Sequence, residues 1–148
     1  HSERRQSFNQ TSNDVKLKAE NLINEGLTPI ICIGETIDEK NKGLTKSFLS
    51  KQLIESLPKK YDAESIIIAY EPIWAIGSGL TPTLEEISSI HAFIKNEIKF
   101  KEIKVIYGGS VKSNNSTEIV NLDSVDGLLV GGASLDPNEF AKILKSWV

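Results

Sequence analysis

Four short runs of β-branched and apolar residues are the feature of this sequence that most limits its fold. They occupy residues 28–34, 65–70, 103–107 and 125–130. The first two runs are continuously apolar rather than alternating, which is typical of strands buried on both faces of a sheet. Strands of that kind occur in parallel sheets covered by helices, so the runs predict four β-strands in one parallel sheet.

Segments with helical periodicity and end signals separate the four runs. A glycine stops the first segment at Gly26, and Pro58 ends the second. The helices are predicted to begin at Ser12 or Asn13, near Thr45, at the capping box of residues 83–86, at Asn115 or Ser116, and after Asp136.

The predicted order is therefore one helix followed by four strand–helix units. Alternating strands and helices with short loops indicate a parallel α/β sheet with right-handed crossovers. Four units are half of an eight-stranded (β/α)8 barrel, which takes about 250 residues. A small doubly wound open sheet is the alternative, and periodicity alone does not separate the two. No linker or low-complexity segment interrupts the 148 residues, so we predict a single domain over residues 1–148.

The composition excludes several classes of function. The net charge is −3, from 17 basic and 20 acidic residues spread along the chain, which argues against a nucleic-acid or membrane-surface partner. The longest apolar run is far shorter than the roughly 20 residues of a membrane-spanning helix. The first residues are polar rather than signal-like. Cys32 is the one cysteine, so we expect no disulfide, and we expect a cytoplasmic protein.

A carboxylate, Glu71, follows directly after the second run. Ligands of parallel α/β folds bind at the carboxyl ends of the strands, and burial there makes a carboxylate a better proton acceptor. Glu71 is therefore a candidate general base, although a carboxylate that caps a loop or pairs with an arginine would look the same. The small residues and glycines between Pro72 and Pro82 are typical of a hinged lid or of a long turn.

Paired glycines follow the third and fourth runs. Residues 107–110 read YGGS and residues 131–134 read GGAS. Glycines let backbone N–H groups approach an anion closely, and a helix begins soon after each pair. Each pair alone is more typical of a tight turn, but two pairs on adjacent strands favour a phosphate site.

Other candidate residues have simpler interpretations. Taken alone, His1 indicates nothing, and His91 is predicted to be half-buried on a helix. Cys32 lies inside an apolar run and is predicted to pack in the core. Glu35 is predicted to do no more than begin the next helix favourably.

Five segments of the chain closely resemble the triosephosphate isomerase family. Residues 69–79 (AYEPIWAIGSG) resemble its catalytic glutamate and lid, and residues 107–111 (YGGSV) and 126–135 (DGLLVGGASL) resemble its two phosphate loops. Residues 31–35 (ICIGE) match its fifth strand, and residues 1–5 (HSERR) match the motif around its catalytic histidine. Because the segments cover the whole chain in the family's order, the resemblance implies the C-terminal half of a TIM (β/α)8 barrel.

The resemblance also implies an activity and roles. The family interconverts dihydroxyacetone phosphate and glyceraldehyde 3-phosphate by proton transfer, without a metal or an organic cofactor. Glu71 would be the base, His1 the neutral imidazole that polarises the carbonyl, and Glu3 its companion acid. The implied phosphate donors are the N–H groups of Gly77, Ser110, Gly131 and Gly132, and the implied lid consists of Pro72, Ile73, Trp74, Ala75, Ile76, Gly77, Ser78 and Gly79.

The sequence departs from the family pattern in ways that bear on activity. It has no counterpart of the family's first four strands, including the asparagine and lysine of the first strand and the loop through which members dimerise. Ser78 and Leu80 stand where many relatives have Thr and Lys. His1 is the first residue, and a terminal side chain is harder to position. We therefore expect weak or absent turnover from this chain alone.

A half barrel would expose its interior face and two unpaired strand edges. A second copy that closes on the first would cover both, so we expect a homodimer through the open barrel face. The expected ligand is a triose phosphate, or inorganic phosphate or sulfate. Three functions remain open: a self-completed triosephosphate isomerase, a non-catalytic phosphate-binding half barrel, and one chain of a two-chain isomerase.

Overall fold

The computed structural model describes residues 1–147 and contains a four-stranded parallel sheet. Its strands lie side by side in chain order, and the register pairs Ile31 with Ile68 and Ile68 with Val105. Each strand lies inside one of the four apolar runs but is shorter than the run. The strands are β1 (Ile30–Ile33), β2 (Ile67–Tyr70), β3 (Lys104–Tyr107) and β4 (Gly127–Leu128).

Helices precede the sheet and connect its strands, which makes the chain an α/β half barrel, as predicted. Single 3-10 turns follow β2 (Ile73–Ala75) and β4 (Gly132–Leu135), and another covers Lys145–Trp147. The helices of residues 1–147 are α1 (Ser2–Phe8), α2 (Ser12–Asn24), α3 (Ile37–Asn41), α4 (Thr45–Ser56), α5 (Leu84–Glu97), α6 (Ser116–Val120) and α7 (Pro137–Leu144).

Some helix boundaries differ from those read in the sequence. The cap of α2 is Thr11, not Ser12 or Asn13. The Thr11 hydroxyl accepts a hydrogen bond from the Asp14 N–H at 3.1 Å, and the Asp14 carboxylate in return accepts one from Thr11. The short helices α1 and α3 were not predicted, since each is too short for a periodic apolar pattern. No helix within residues 1–147 is long and apolar enough to cross a membrane.

The two faces of the sheet are buried unequally. Side chains alternate along a strand, and those that point toward the helices, such as Ile31, Ile68 and Val105, are at most 1% exposed. On the opposite face Ile30 is 44% exposed and Ile67 is half-buried. The apolar runs predicted burial on both faces, which is wrong for part of the inner face, whereas the half barrel implied by the family resemblance was expected to expose it. The exposure arises because nothing within residues 1–147 covers this face fully.

Candidate functional site

A cavity of about 950 Å³ opens at the carboxyl ends of the strands. Its wall is formed by the start of the chain and by the loops that follow β2, β3 and β4. The residues predicted to act in catalysis or phosphate binding all line it: His1, Glu3, Glu71, Gly77, Ser110, Gly131 and Gly132.

Glu71 lies at the inner end of this cavity, and only 1% of it is exposed. Its Oε1 lies 2.9 Å from Nε2 of His1. Its Oε2 accepts two hydrogen bonds at 3.1 Å, from the backbone N–H and from the hydroxyl of Ser2. Both carboxylate oxygens are therefore held by the beginning of α1.

Ser2 is a site residue that the sequence analysis missed. It is 1% exposed and is the first residue of α1, where backbone N–H groups have no partner within the helix. A serine at a helix start beside a candidate histidine is a weak signal for such a contact. The partner is 69 positions away, and only the folded chain identifies it.

The tautomer of His1 follows from its two contacts. The backbone N–H of Glu3 donates to Nδ1 at 3.3 Å, so the ring proton of the neutral imidazole lies on Nε2. Nε2 lies on the side of the ring that contacts Oε1 of Glu71, at 2.9 Å. The side chain of Glu3 lies in the exposed rim of the cavity, and the N–H of this residue is what orients the histidine.

Glycines allow the strand ends to approach the backbone and side chain of Glu71. A Cβ atom on Gly34 would lie 1.7 Å from the carbonyl oxygen of Glu71, and one on Gly108 would lie 2.9 Å from its Cγ. Cys32 is buried as predicted, and burial together with the nearby Glu71 charge raises the pKa of its thiol to about 12. It therefore remains a neutral thiol beside the carboxylate.

The base of the predicted lid is fastened to the sheet. The indole N–H of Trp74 donates to Oε1 of Glu35 at 3.0 Å, and the Tyr70 hydroxyl donates to the same oxygen at 3.1 Å. The hydroxyl of Ser110 donates to the carbonyl of Ala75 at 2.5 Å. The prediction that Glu35 only begins a helix is wrong, because its carboxylate is 1% exposed and is the acceptor that the half-buried indole requires.

The tip of the predicted lid is more exposed than its base. Gly77 and Gly79 have φ angles of 64° and 79°, in the left-handed region that glycine adopts at little cost. Residues 77–80 are exposed, and the hydroxyl of Ser78 donates to the carbonyl of Trp74 at 2.9 Å. Residues 76–79 line the cavity, whereas Trp74 faces a second cavity behind the lid.

The four backbone N–H groups predicted to bind phosphate belong to residues that line this cavity. Those of Gly77, Ser110, Gly131 and Gly132 donate to no acceptor within residues 1–147. Unpartnered N–H groups that surround one space favour an oxyanion there. The side chains add mostly negative charge, since Glu71 and two other carboxylates line the wall.

Lys112 is the one lysine or arginine among the described wall residues. It lies two positions after Ser110, and its backbone N–H is fixed by the side chain of Asn115 at 2.8 Å. Its side chain is exposed. Within residues 1–147 no cluster of three or more His, Cys, Asp or Glu side chains is arranged to hold a metal ion.

His91 lies elsewhere and corrects a prediction. It is 0% exposed rather than half-buried, and it packs between the rings of Tyr70 and Tyr107, with ring centroids at 5.9 and 6.2 Å. Neither ring nitrogen has a hydrogen-bond partner within the described residues. Burial lowers the pKa of His91 to about 4, so the ring is neutral.

The chain is similar in sequence and in structure to known proteins over almost its whole length. The family model described as triosephosphate isomerase matches residues 1–147. The triosephosphate isomerases of Chloroherpeton thalassium and Chelativorans sp. are 42% and 45% identical to the chain, over 99% and 97% of its length. The crystal structure of the Bartonella henselae triosephosphate isomerase superposes with a TM-score of 0.91 at 37% identity, over 99% of this chain. The chain spans 62% and 59% of those two relatives and 61% of that structure.

Proposed function

This chain belongs to the triosephosphate isomerase family, and we propose that its cavity binds a triose phosphate and moves a proton between two of its carbons. The observation that carries the proposal is that one buried carboxylate, one oriented imidazole and four N–H groups without an acceptor among residues 1–147 line a single cavity. Substrate and product are dihydroxyacetone phosphate and glyceraldehyde 3-phosphate, as in glycolysis and gluconeogenesis in the cytoplasm.

Proton transfer in this site uses Glu71 as the base and His1 as the donor. The Nε2–H of His1 turns from Oε1 of Glu71 toward the bound substrate and stabilises negative charge that develops on the substrate oxygen. Oε2 of Glu71 accepts two hydrogen bonds from Ser2 and Oε1 contacts His1, so the carboxylate must release one of these contacts to reach a carbon-bound proton. Pro72 joins Glu71 directly to the lid, so movement of the lid repositions the carboxylate.

The phosphate lies against the N–H groups of Gly77, Ser110, Gly131 and Gly132. A dianion in a cavity lined by three carboxylates is repelled unless a cation is near. Lys112 supplies that charge in the described part of the chain, because it lies beside Ser110 at the rim. We therefore assign it the electrostatic part of phosphate binding.

Hydrogen–deuterium exchange of dihydroxyacetone phosphate in D2O tests the proton-transfer step directly, because it detects abstraction without full turnover. We expect slow exchange at the hydroxymethyl carbon, its loss in Glu71→Gln, and its retention in Glu139→Gln, which removes another carboxylate of the same wall. Bound phosphate, observed by 31P NMR, should persist in Glu71→Gln. Phosphate binding without exchange would support the second candidate, a non-catalytic phosphate-binding half barrel.

The open inner face supports a proposal about assembly. Ile30 is 44% exposed, and β1 and β4 each pair with one neighbour within the described residues. A second copy would cover this face and both edges. Sedimentation velocity should show a dimer that Ile30→Lys dissociates, whereas Ile54→Lys, on the exposed side of α4, should leave it intact. If the Ile54→Lys variant sediments as a monomer as well as the Ile30→Lys variant, the proposal is contradicted.

A two-chain isomerase is the remaining candidate. The chain spans about 60% of the length of its relatives, and a half barrel of the missing length would complete the sheet. Proton exchange that appears only after addition of an N-terminal half-barrel fragment from a relative would support it.

A further inference from the structure

A second cavity, of about 560 Å³, lies behind the lid and shares no wall residue with the cavity that holds Glu71. Its wall comes from Glu35 after β1, Lys40 of α3, Trp74 of the lid and Ile90 of α5. This volume suits a small organic molecule. The proposed proton transfer makes no use of it.

One carboxylate oxygen of Glu35, in the wall of this cavity, lacks a hydrogen-bond partner within residues 1–147. The residue is 1% exposed, and its Oε1 accepts from the Tyr70 hydroxyl and from the Trp74 indole. Its Oε2 is buried and has no partner within residues 1–147. A buried acceptor that has no partner has lost its hydrogen bonds to water and gained none in return. A ligand that donates a hydrogen bond to it would compensate for that loss.

Lys40 shows which kind of donor the wall stabilises. Its ammonium group lies 3.9 Å from the centroid of the Trp74 ring and 2.7 Å from Oε1 of Glu86. An aromatic face and a carboxylate together attract an ammonium group more strongly than a neutral donor. The protein therefore already places a cation against this wall.

The charged side chains of the cavity wall also favour a cationic ligand. Three carboxylates, those of Glu35, Glu85 and Glu86, face two ammonium groups, those of Lys40 and Lys46. Glu35 lies farthest from solvent among the three, and burial raises the pKa of its carboxyl group, so a cation bound beside it would favour the charged form. Trp74 and Ile90 supply apolar surface next to these charges.

We propose that this cavity binds a small organic ammonium compound with an apolar body. Because Oε2 of Glu35 has no exposed surface, this side chain turns toward the cavity and accepts a hydrogen bond from the ammonium group of the ligand. The apolar part of the ligand packs against Trp74 and Ile90. Because Glu35 also holds the indole of Trp74, a bound ligand fixes the base of the lid and slows its movement. That consequence rests on the proposed isomerase function, whereas binding itself does not.

Fluorescence of Trp74 tests the proposal in the chain with Trp147→Phe, which leaves one indole. The probes are benzylamine, which is protonated at neutral pH, and benzyl alcohol, which has a similar shape without the charge. We expect millimolar binding of benzylamine and at least tenfold weaker binding of benzyl alcohol. Glu35→Gln should weaken benzylamine binding at least tenfold, and Glu85→Gln, at the exposed rim, less than threefold.

Equal affinity for the two probes would overturn the proposal, and so would unchanged affinity in a folded Glu35→Gln variant. The comparison of the probes needs no change at Glu35, so it decides the matter even if that variant does not fold. Failure here leaves phosphate binding and proton exchange unaffected, because those are measured at the other cavity.

Discussion

The Nε2 atom of His1 lies 2.9 Å from Oε1 of Glu71, so the first residue of the chain and the residue after β2 are in direct polar contact. The adjacent Ser2 donates twice to the other oxygen of the same carboxylate. These three contacts attach α1 to the end of the sheet. They also hold the candidate base in a defined position before any ligand binds.

Ser2→Ala should lower the free energy of unfolding by roughly 1–2 kcal/mol, because it removes one hydrogen bond to a buried carboxylate and keeps the backbone N–H. Urea unfolding followed by circular dichroism measures the change. Ser7→Ala is the matched control, since Ser7 is exposed on the same helix. A loss of the same size in both variants would contradict the assigned contact.

Trp74→Phe should loosen the base of the lid, because the indole N–H that donates to Glu35 is lost while the ring is kept. Hydrogen exchange at the amides of Ala75 and Ile76, which now donate to the carbonyls of Pro72 and Ile73, should accelerate about tenfold. Trp147→Phe, on a half-exposed ring far along the chain, should leave these rates unchanged. Unaltered exchange in Trp74→Phe would show that the lid is held by other contacts.

Protonation of His91 should make the fold sensitive to acid. The folded-state pKa of about 4 lies below the value of 6.5 expected in the unfolded chain, because the ring is buried. The unfolded state therefore binds the proton more tightly, and the stabilising contribution present above pH 6.5 is lost as the pH falls toward 4. The shift corresponds to roughly 3 kcal/mol.

The variant His91→Leu isolates that contribution. Its stability should fall less than that of the parent chain between pH 6.5 and 4, as measured by urea unfolding at several pH values. Parallel pH profiles for the two proteins would exclude His91 as the source of acid sensitivity.

Lys112→Gln should weaken the binding of inorganic phosphate about 3- to 10-fold at low ionic strength, because it removes the one lysine of the described cavity wall. The difference should shrink at high salt, where the exposed charge is screened. Lys104→Gln, at the opposite end of β3, is the control and should bind phosphate as the parent chain does. Titration followed by 31P NMR checks both, and equal affinities would remove Lys112 from the site.

Cavity residues could be predicted from the sequence where the residue type and its position after a strand were sufficient to identify them. Glu71, the two glycine pairs and the lid all follow strand ends, and parallel strands bring those ends to one edge. Contacts between distant segments were not predictable. Ser2 and Glu35 acquire their roles from partners 69 and 39 positions away, and no local pattern encodes such a pairing.

The sequence by itself determined the α/β class, the four strands, the helix cap at Thr83, the helix start at Pro137, and the family. These features depend on apolar periodicity, capping residues and short motifs, which act over a few neighbouring residues. Only the tertiary structure decided that His91 is buried without a hydrogen-bond partner among residues 1–147, and that Glu35 accepts the indole N–H of Trp74 at the base of the predicted lid. Burial and hydrogen-bond partners depend on which segments pack together, and that is a property of the whole folded chain.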